Sequence, residues 1–232
     1  MMGVLVNTAT VLMGSALGLL LKKGISERVS KAVMIAIGLC TVYIGVDEAM
    51  EGSNAIVLIV SMVLGTIVGT LIDIDDKINR AGAFLETKMK HSDGKTTIAE
   101  GFMTGSLLFC VGAMTIVGSL NAGLSGDNEL LFTKSILDLI SSCMLASTLG
   151  IGVMFAALFV LVFQGGLVLL AGLLQNVLTN PAMIAEITCA GGVMIIGLGL
   201  NILGLSKFKV ANFMPAILFV PLIYWLVQFL PL

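Results

Sequence analysis

Asp138 stands inside an apolar run with Lys134 four residues before it. On a helix that spacing puts the two on one face, where they can pair. A carboxylate inside hydrocarbon is unfavourable, by about 2.5 to 3.5 kcal/mol at the centre of a span, and so points by default to an ion or proton path. Ser141, Ser142 and Thr148 continue the stripe with hydroxyls that could pass a dehydrated ion inward. The competing reading puts both charges near the outer end of a span, with Lys134 reaching the headgroups and Asp127 or Ser125 capping the helix. Glu186, five residues past Pro181, is about 7 Å deep by helical rise. Interfacial snorkelling and an intramembrane site fit it equally. Asn7, with Thr8 and Thr10, and Asn201 offer uncharged oxygens, which helix packing could equally use for interhelical hydrogen bonds. Gln164-Gly165-Gly166, and Pro215 with Pro221, suggest interrupted helices whose freed backbone groups bind ions, against simple kinks.

Other chemistry is not indicated. The chain shows no nucleophile–base pair, metal-ligand cluster or phosphate loop, so it does not read as an enzyme and calls for no cofactor or metal. A net charge of −2 gives no basic surface for nucleic acid. Cys40, Cys110, Cys143 and Cys189 all fall in apolar runs and read as small hydrophobes. His91, beside Ser92-Asp93-Gly94, reads as a solvated loop histidine. The first twenty residues lack a basic leader and a small-residue cleavage motif, so they read as a retained first span.

The elements that position these residues are membrane helices. Of 232 residues 58% are hydrophobic and 11% charged, against about 25% charged in a soluble domain. The apolar runs are continuous rather than alternating, which favours helices over a barrel. Spans fall near residues 2–21, 31–47, 55–72, 98–120, 131–148, 151–174, 184–205 and 210–230. Residues 130–175 carry only Lys134 and Asp138 as charges and would make a helix of about 70 Å, more than twice the hydrocarbon thickness. They must fold back, at Ser147-Thr148-Leu149-Gly150. With eight spans and the N-terminus outside, Lys22, Lys23, Arg28, Lys31, Lys77, Arg80, Lys88, Lys90, Lys95, Lys207 and Lys209 are cytoplasmic, eleven of twelve basic residues, and only Lys134 is not. The acidic group Asp47, Glu48 and Glu51 then lies outside, and Tyr224 and Trp225 anchor the last span at the outer interface. In residues 73–97, Ile74, Ile78, Ala81, Leu85 and Met89 recur at helical spacing against Asp75, Asp76, Lys77, Arg80 and Lys88, an amphipathic helix on the inner surface. The expectation is an all-α, polytopic helix bundle forming a single membrane domain.

Two patterns bear on assembly. Residues 25–46 align without gaps on 177–198, with Ile35/Ile187, Ile44/Ile196 and Gly45/Gly197 coinciding. Under eight spans this makes an inverted repeat of the kind secondary transporters use. Gly14/Gly18, Gly65/Gly69 and Gly101/Gly105 are GxxxG pairs suited to close packing within or between protomers, and suggest a homo-oligomer, most simply a dimer.

Several segments carry a resemblance along nearly the whole chain. They are Gly3 to Asn7, Leu108-Phe109-Cys110-Val111-Gly112, Gly123-Leu124-Ser125-Gly126-Asp127, and Thr133-Lys134-Ser135 with Leu137-Asp138. Ala146-Ser147-Thr148-Leu149-Gly150-Ile151-Gly152, Gly199-Leu200-Asn201 and Pro215-Ala216 continue it. In these the chain resembles the YdfK/YqgA-type bacterial inner-membrane proteins, a family labelled only as a domain of unknown function. Ala113 departs from the proline expected after Val-Gly. The resemblance implies a bacterial inner membrane and supplies no substrate. The functional expectation is a secondary transporter or channel-like carrier of a small ion or polar solute. The alternative is a non-transporting scaffold or regulatory protein.

Overall fold

The computed structural model describes residues 1–22, 27–89, 98–110, 113–178 and 180–228. His91 and Ser92-Asp93-Gly94 lie outside the described residues, as do Lys23, Lys90, Lys95 and Val111-Gly112. The helices are α1 (Met2–Lys22), α2 (Glu27–Ala49), α3 (Ala55–Ile72), α4 (Ile74–Met89), α5 (Ile98–Cys110), α6 (Ala113–Leu124), α7 (Glu129–Leu149), α8 (Gly152–Leu178), α9 (Pro181–Ile202) and α10 (Ala216–Val227), with a 3₁₀ turn at Val210–Phe213. No strand occurs among the described residues.

Local chemistry sets several ends. Asn54 caps α3, its Oδ1 accepting the N–H of Ile56 at 3.1 Å and Val57 at 3.3 Å. At the other end Asp73 takes the left-handed conformation, φ 49°, and its N–H bonds the carbonyls of Gly69 and Thr70. Asn180 accepts the N–H of Ala182 at 3.0 Å with Pro181 in the first turn, so α9 starts three residues before the expected 184. Gly150, φ 79°, ends α7 at the expected fold-back. Asp75, expected on the polar face of the amphipathic segment, is buried, its N–H donating to Asn212 Oδ1 at 2.9 Å.

Two expected spans are not single helices. Residues 98–120 divide into α5 and α6, bent by 61°, and Thr115 Oγ1 donates to the Phe109 carbonyl near the break at 3.2 Å. The last run divides because Pro215 has no N–H to continue the 3₁₀ turn and instead stands at the start of α10. Conversely, α8 runs unbroken through Gln164-Gly165-Gly166, correcting the expected interruption there. A helix inside a bundle tolerates glycine because its backbone bonds are still made.

The helices group into two compact units, a division no linker announces, since its boundaries fall inside α2 and α4. Unit one holds residues 1–37 and 77–175. Here α1 runs parallel to α7, with Gly3 against Leu131, Gly14 against Leu139 and Ser142, and Gly18 against Cys143 and Ser147. The α5–α6 pair runs along α8: Gly101 lies against Gly152 and Val153, Gly105 against Ala156, and Gly123 against Val168 and Ala171. Gly152 to Ala171 is about 28 Å of helix, close to the hydrocarbon thickness. The pair therefore crosses as one bent span rather than turning back. Parallel α1 and α7 need an odd number of crossings between them, which α2, α3 and α5–α6 supply. With the seven other candidates, the candidate spans among the described residues number up to eight. Val11, Phe109, Leu145, Leu149, Val153 and Val160 fill the core of this unit.

Unit two holds residues 38–76 and 176–232. The second half of α2 packs antiparallel on α9, Gly38 and Gly45 of one interlocking with Gly199 and Gly192 of the other. On α3, Gly65 lies against Ala216 and Gly69 against Asn212, so α3 and α10 are also antiparallel. All three GxxxG pairs are thus filled within the chain. They no longer argue for a second copy.

Candidate functional site

The buried face of α7 carries Leu131, Lys134, Ser135, Asp138, Ser142 and Leu145, the helical spacing of one stripe. Lys134 Nζ donates to both Asp138 oxygens, at 2.8 and 2.7 Å, and the two side chains are only 8% and 6% exposed. Asp138 is about 14 Å along α7 by helical rise, near the middle of its 21 residues. This removes the reading in which Lys134 reaches the headgroups. From α1, Asn7 Nδ2 donates to Asp138 Oδ2 at 3.0 Å and to Gln164 Oε1 of α8 at 3.2 Å. Three helices of unit one thus converge on one ion pair.

The carboxylate fixes the orientation of the amides. It accepts only, so Asn7 must turn its NH₂ toward Asp138. That NH₂ in turn selects the carbonyl of Gln164. Asn7 Oδ1 and Gln164 Nε2 remain, both buried and without a partner. The cluster carries opposite charges that cancel, plus one free acceptor and one free donor. Chemically it can hold a small polar or charged species that supplies the missing bonds.

Other expected residues are placed differently. Ser141 is exposed, because the buried face of α7 passes through Asp138 and Ser142 and leaves Ser141 to one side. Ser142 is buried under Gly14 but donates to its own Leu139 carbonyl at 3.1 Å, so its hydroxyl is not offered to the acid. Asn201 holds a turn in unit two: its Oδ1 accepts from Ser206 Oγ and Phe208 N–H, each at 2.8 Å, and its Nδ2 donates to the Phe208 carbonyl at 2.8 Å. That use occupies the oxygen expected to meet an ion. Glu186 does not snorkel, being 2% exposed. Its Oε1 accepts from the N–H of Ser53 and of Asn54 at 2.8 and 2.9 Å in unit two. Gly52, Ser53 and Asn54 around it are absent from the sequence reading, although Ser-Asn just before an apolar run is a helix-start signal.

Outside the spans, Lys209 Nζ meets Asp73 Oδ1 at 3.1 Å. That hydrogen bond holds the Asp73 carboxyl below its ordinary 3.8 and raises the Lys209 ammonium above its ordinary 10.5.

Comparison with known proteins gives the same picture of a membrane protein. The chain is 35% identical over 232 residues to an "Uncharacterized membrane protein YdfK" of Bacillus subtilis (strain 168), covering 98% of this chain and 97% of that one. It is 30% identical over 219 residues to an "Uncharacterized protein YqgA" of Escherichia coli (strain K12), covering 93% of each. No solved structure matches. Residues 2–225 match the family described as "Protein of unknown function (DUF554)", and the chain, a multi-pass membrane protein, belongs to that family.

Proposed function

We propose that the protein is a secondary transporter or channel-like carrier of a small ion or polar solute across the bacterial inner membrane, with Lys134, Asp138, Asn7 and Gln164 on the solute path. One observation carries this: a charged pair at mid-depth of a span has a free acceptor and a free donor at its edge. Each unmade buried bond is unfavourable by roughly 1 to 3 kcal/mol. A purely structural network has no reason to leave two such atoms open, and a passing solute or water would satisfy both. The orientation we propose keeps the eleven basic residues named above in the cytoplasm, and with eight spans both termini lie outside. The scaffold alternative rests on glycine faces and on the amphipathic helix, and of these the glycine faces are filled within the chain.

The test is flux in proteoliposomes across a panel of monovalent ions and small polar solutes. Wild type should move at least one of them, and Asp138→Asn should not. Equal flux through a folded Asp138→Asn protein would remove Asp138 from the path.

A further inference from the structure

The two free atoms beside the ion pair differ in kind, and the difference limits what can bond to them. Asn7 Oδ1 can only accept and Gln164 Nε2 can only donate. The two amides are already joined, Asn7 Nδ2 donating to Gln164 Oε1 at 3.2 Å. They form an open chain with an acceptor at one end and a donor at the other. A third amide closes it: its carbonyl takes the Gln164 N–H and its own N–H goes to Asn7 Oδ1. Ions match it less well. A dehydrated cation needs a ring of oxygens in place of its water, and here it would meet one amide oxygen beside an N–H donor. An anion would find the Gln164 N–H, but also the Asn7 oxygen and a carboxylate whose counter-charge, Lys134, already bonds both its oxygens at 2.8 and 2.7 Å.

A second set of groups agrees. Apart from these amides, the side-chain atoms buried without a partner among the described residues of unit one are the hydroxyls of Ser15, Thr104, Ser106 and Ser119. They lie at different depths. Ser119 follows Gly118, which packs on Leu130 and Leu131, one turn before Lys134 on α7. Ser15 follows Gly14, which packs on Leu139 and Ser142, one turn beyond Asp138. Thr104 and Ser106 flank Gly105, which packs on Ala156, about 12 Å along α8 from Gln164 by helical rise. A hydroxyl both donates and accepts and carries no charge, so each can hand on an uncharged solute of the same bonding pattern.

We propose that the solute is small and uncharged, with a donor and an acceptor on neighbouring atoms as in a carboxamide or urea, that Asn7 and Gln164 bind it, and that Ser15 and Ser119 line its way. Passage rests on the carrier reading above, while binding at the amide pair stands without it. Asp138 is a positioning residue here, its carboxylate holding the Asn7 NH₂ and so leaving the Asn7 oxygen for the solute. Infrared difference spectra of the reconstituted full chain with ¹³C-carbonyl acetamide read the bound carbonyl directly. The expected result is a carbonyl band displaced from its position in buffer, saturable, unaffected by excess sodium or chloride, and lost in Gln164→Met. Acetone has the shape of acetamide without the N–H, so it should not displace the band, because it would leave Asn7 Oδ1 unpaired. Absence of a saturable band, its survival in Gln164→Met, or its displacement by acetone, sodium or chloride overturns the proposal. Should Gln164→Met fail to fold, the acetone competition on the wild-type chain decides. In proteoliposomes, acetamide and urea should enter in a protein-dependent way. Ser15→Ala and Ser119→Ala remove hydroxyls that bond nothing in the fold, and should keep the bound band while slowing uptake severalfold; unchanged uptake in both overturns the path. Ion flux that Asp138→Asn abolishes, with no bound acetamide, would overturn this inference and leave the carrier reading standing. Bound acetamide with no flux of any solute would sink the carrier reading and leave the amide site.

Discussion

Removing one charge of the Lys134–Asp138 pair should destabilise unit one more than removing both. At the 2.7 Å Nζ–Oδ2 separation and an effective dielectric of about 20, the attraction is roughly 332/(20 × 2.7), or about 6 kcal/mol. Burial offsets much of this, since each ion gives up several kcal/mol of hydration. In Asp138→Asn the Lys134 ammonium stays buried and loses both bonds to the carboxylate. Losing one partner of a buried pair is destabilising by about 3 to 5 kcal/mol. In Lys134→Gln the carboxylate keeps only Asn7. The double variant replaces the ions with two amides at i,i+4, which can hydrogen-bond without a charge. A double-mutant cycle should therefore give a coupling of about 2 kcal/mol or more, near 30-fold in the unfolding constant. Ordinary interhelical hydrogen bonds in membrane proteins average about 0.6 kcal/mol, because the chain unfolded in the membrane finds other partners. A lone charge in lipid finds few. Reversible unfolding in mixed micelles, followed by circular dichroism, supplies the four stabilities. Additivity within about 0.5 kcal/mol would refute the argument.

Other predictions follow from particular contacts. Gly14→Ala drives a methyl into the Leu139 carbonyl and should reduce stability by about 1 to 3 kcal/mol, whereas Gly166→Ala, with nothing within 4 Å of the new methyl, should be neutral or stabilising by up to about 1 kcal/mol; thermal unfolding of the two separates them. In a cysteine-free background, Asp76→Cys and Ser206→Cys should both resist a membrane-impermeant thiol reagent added outside, and strong external labelling of Ser206→Cys beside a protected Asp76→Cys would remove the eighth span. The Asp73–Lys209 bond lowers the Asp73 pKa, so its stabilisation is present above 3.8 and lost as pH falls through the lower folded value. The hydrogen-exchange protection factors of residues 205–213, which remove the intrinsic pH dependence of the rate, should therefore hold down to pH 3.8 and fall only below it, and an equal fall in Asp73→Asn would dissociate the effect from this bond.

Much of the helical scaffold was legible because lipid imposes long apolar runs and fixes their length. The fold-back at Gly150 was legible from length alone, and the Lys134–Asp138 pair from i,i+4 geometry. Local periodicity could not say which of Ser141 and Ser142 faces inward, since each is within one turn of Asp138 and packing against α1 decides. Asn7 and Gln164 were visible as polar atoms in apolar runs, but their meeting is a contact between residues 157 apart, which no local pattern encodes. Two following glycines mark Gln164 in the sequence more plainly than its amide does. Asn201 misled because an asparagine in a span looks the same whether it serves a solute or closes a turn five residues on. Glu186 was found as an acid, while its capping by Ser53 and Asn54 depends on tertiary contact.

The central claim is that the charged pair serves solute passage, and the charge-free pair Lys134→Gln/Asp138→Asn tests it most directly. This variant should retain the fold, so lost activity in it cannot be ascribed to an orphaned buried charge. Flux of the wild-type solute through proteoliposomes holding equal amounts of folded protein should fall to the protein-free leak. Wild-type flux through the neutral pair would contradict the account and reduce the cluster to a packing device.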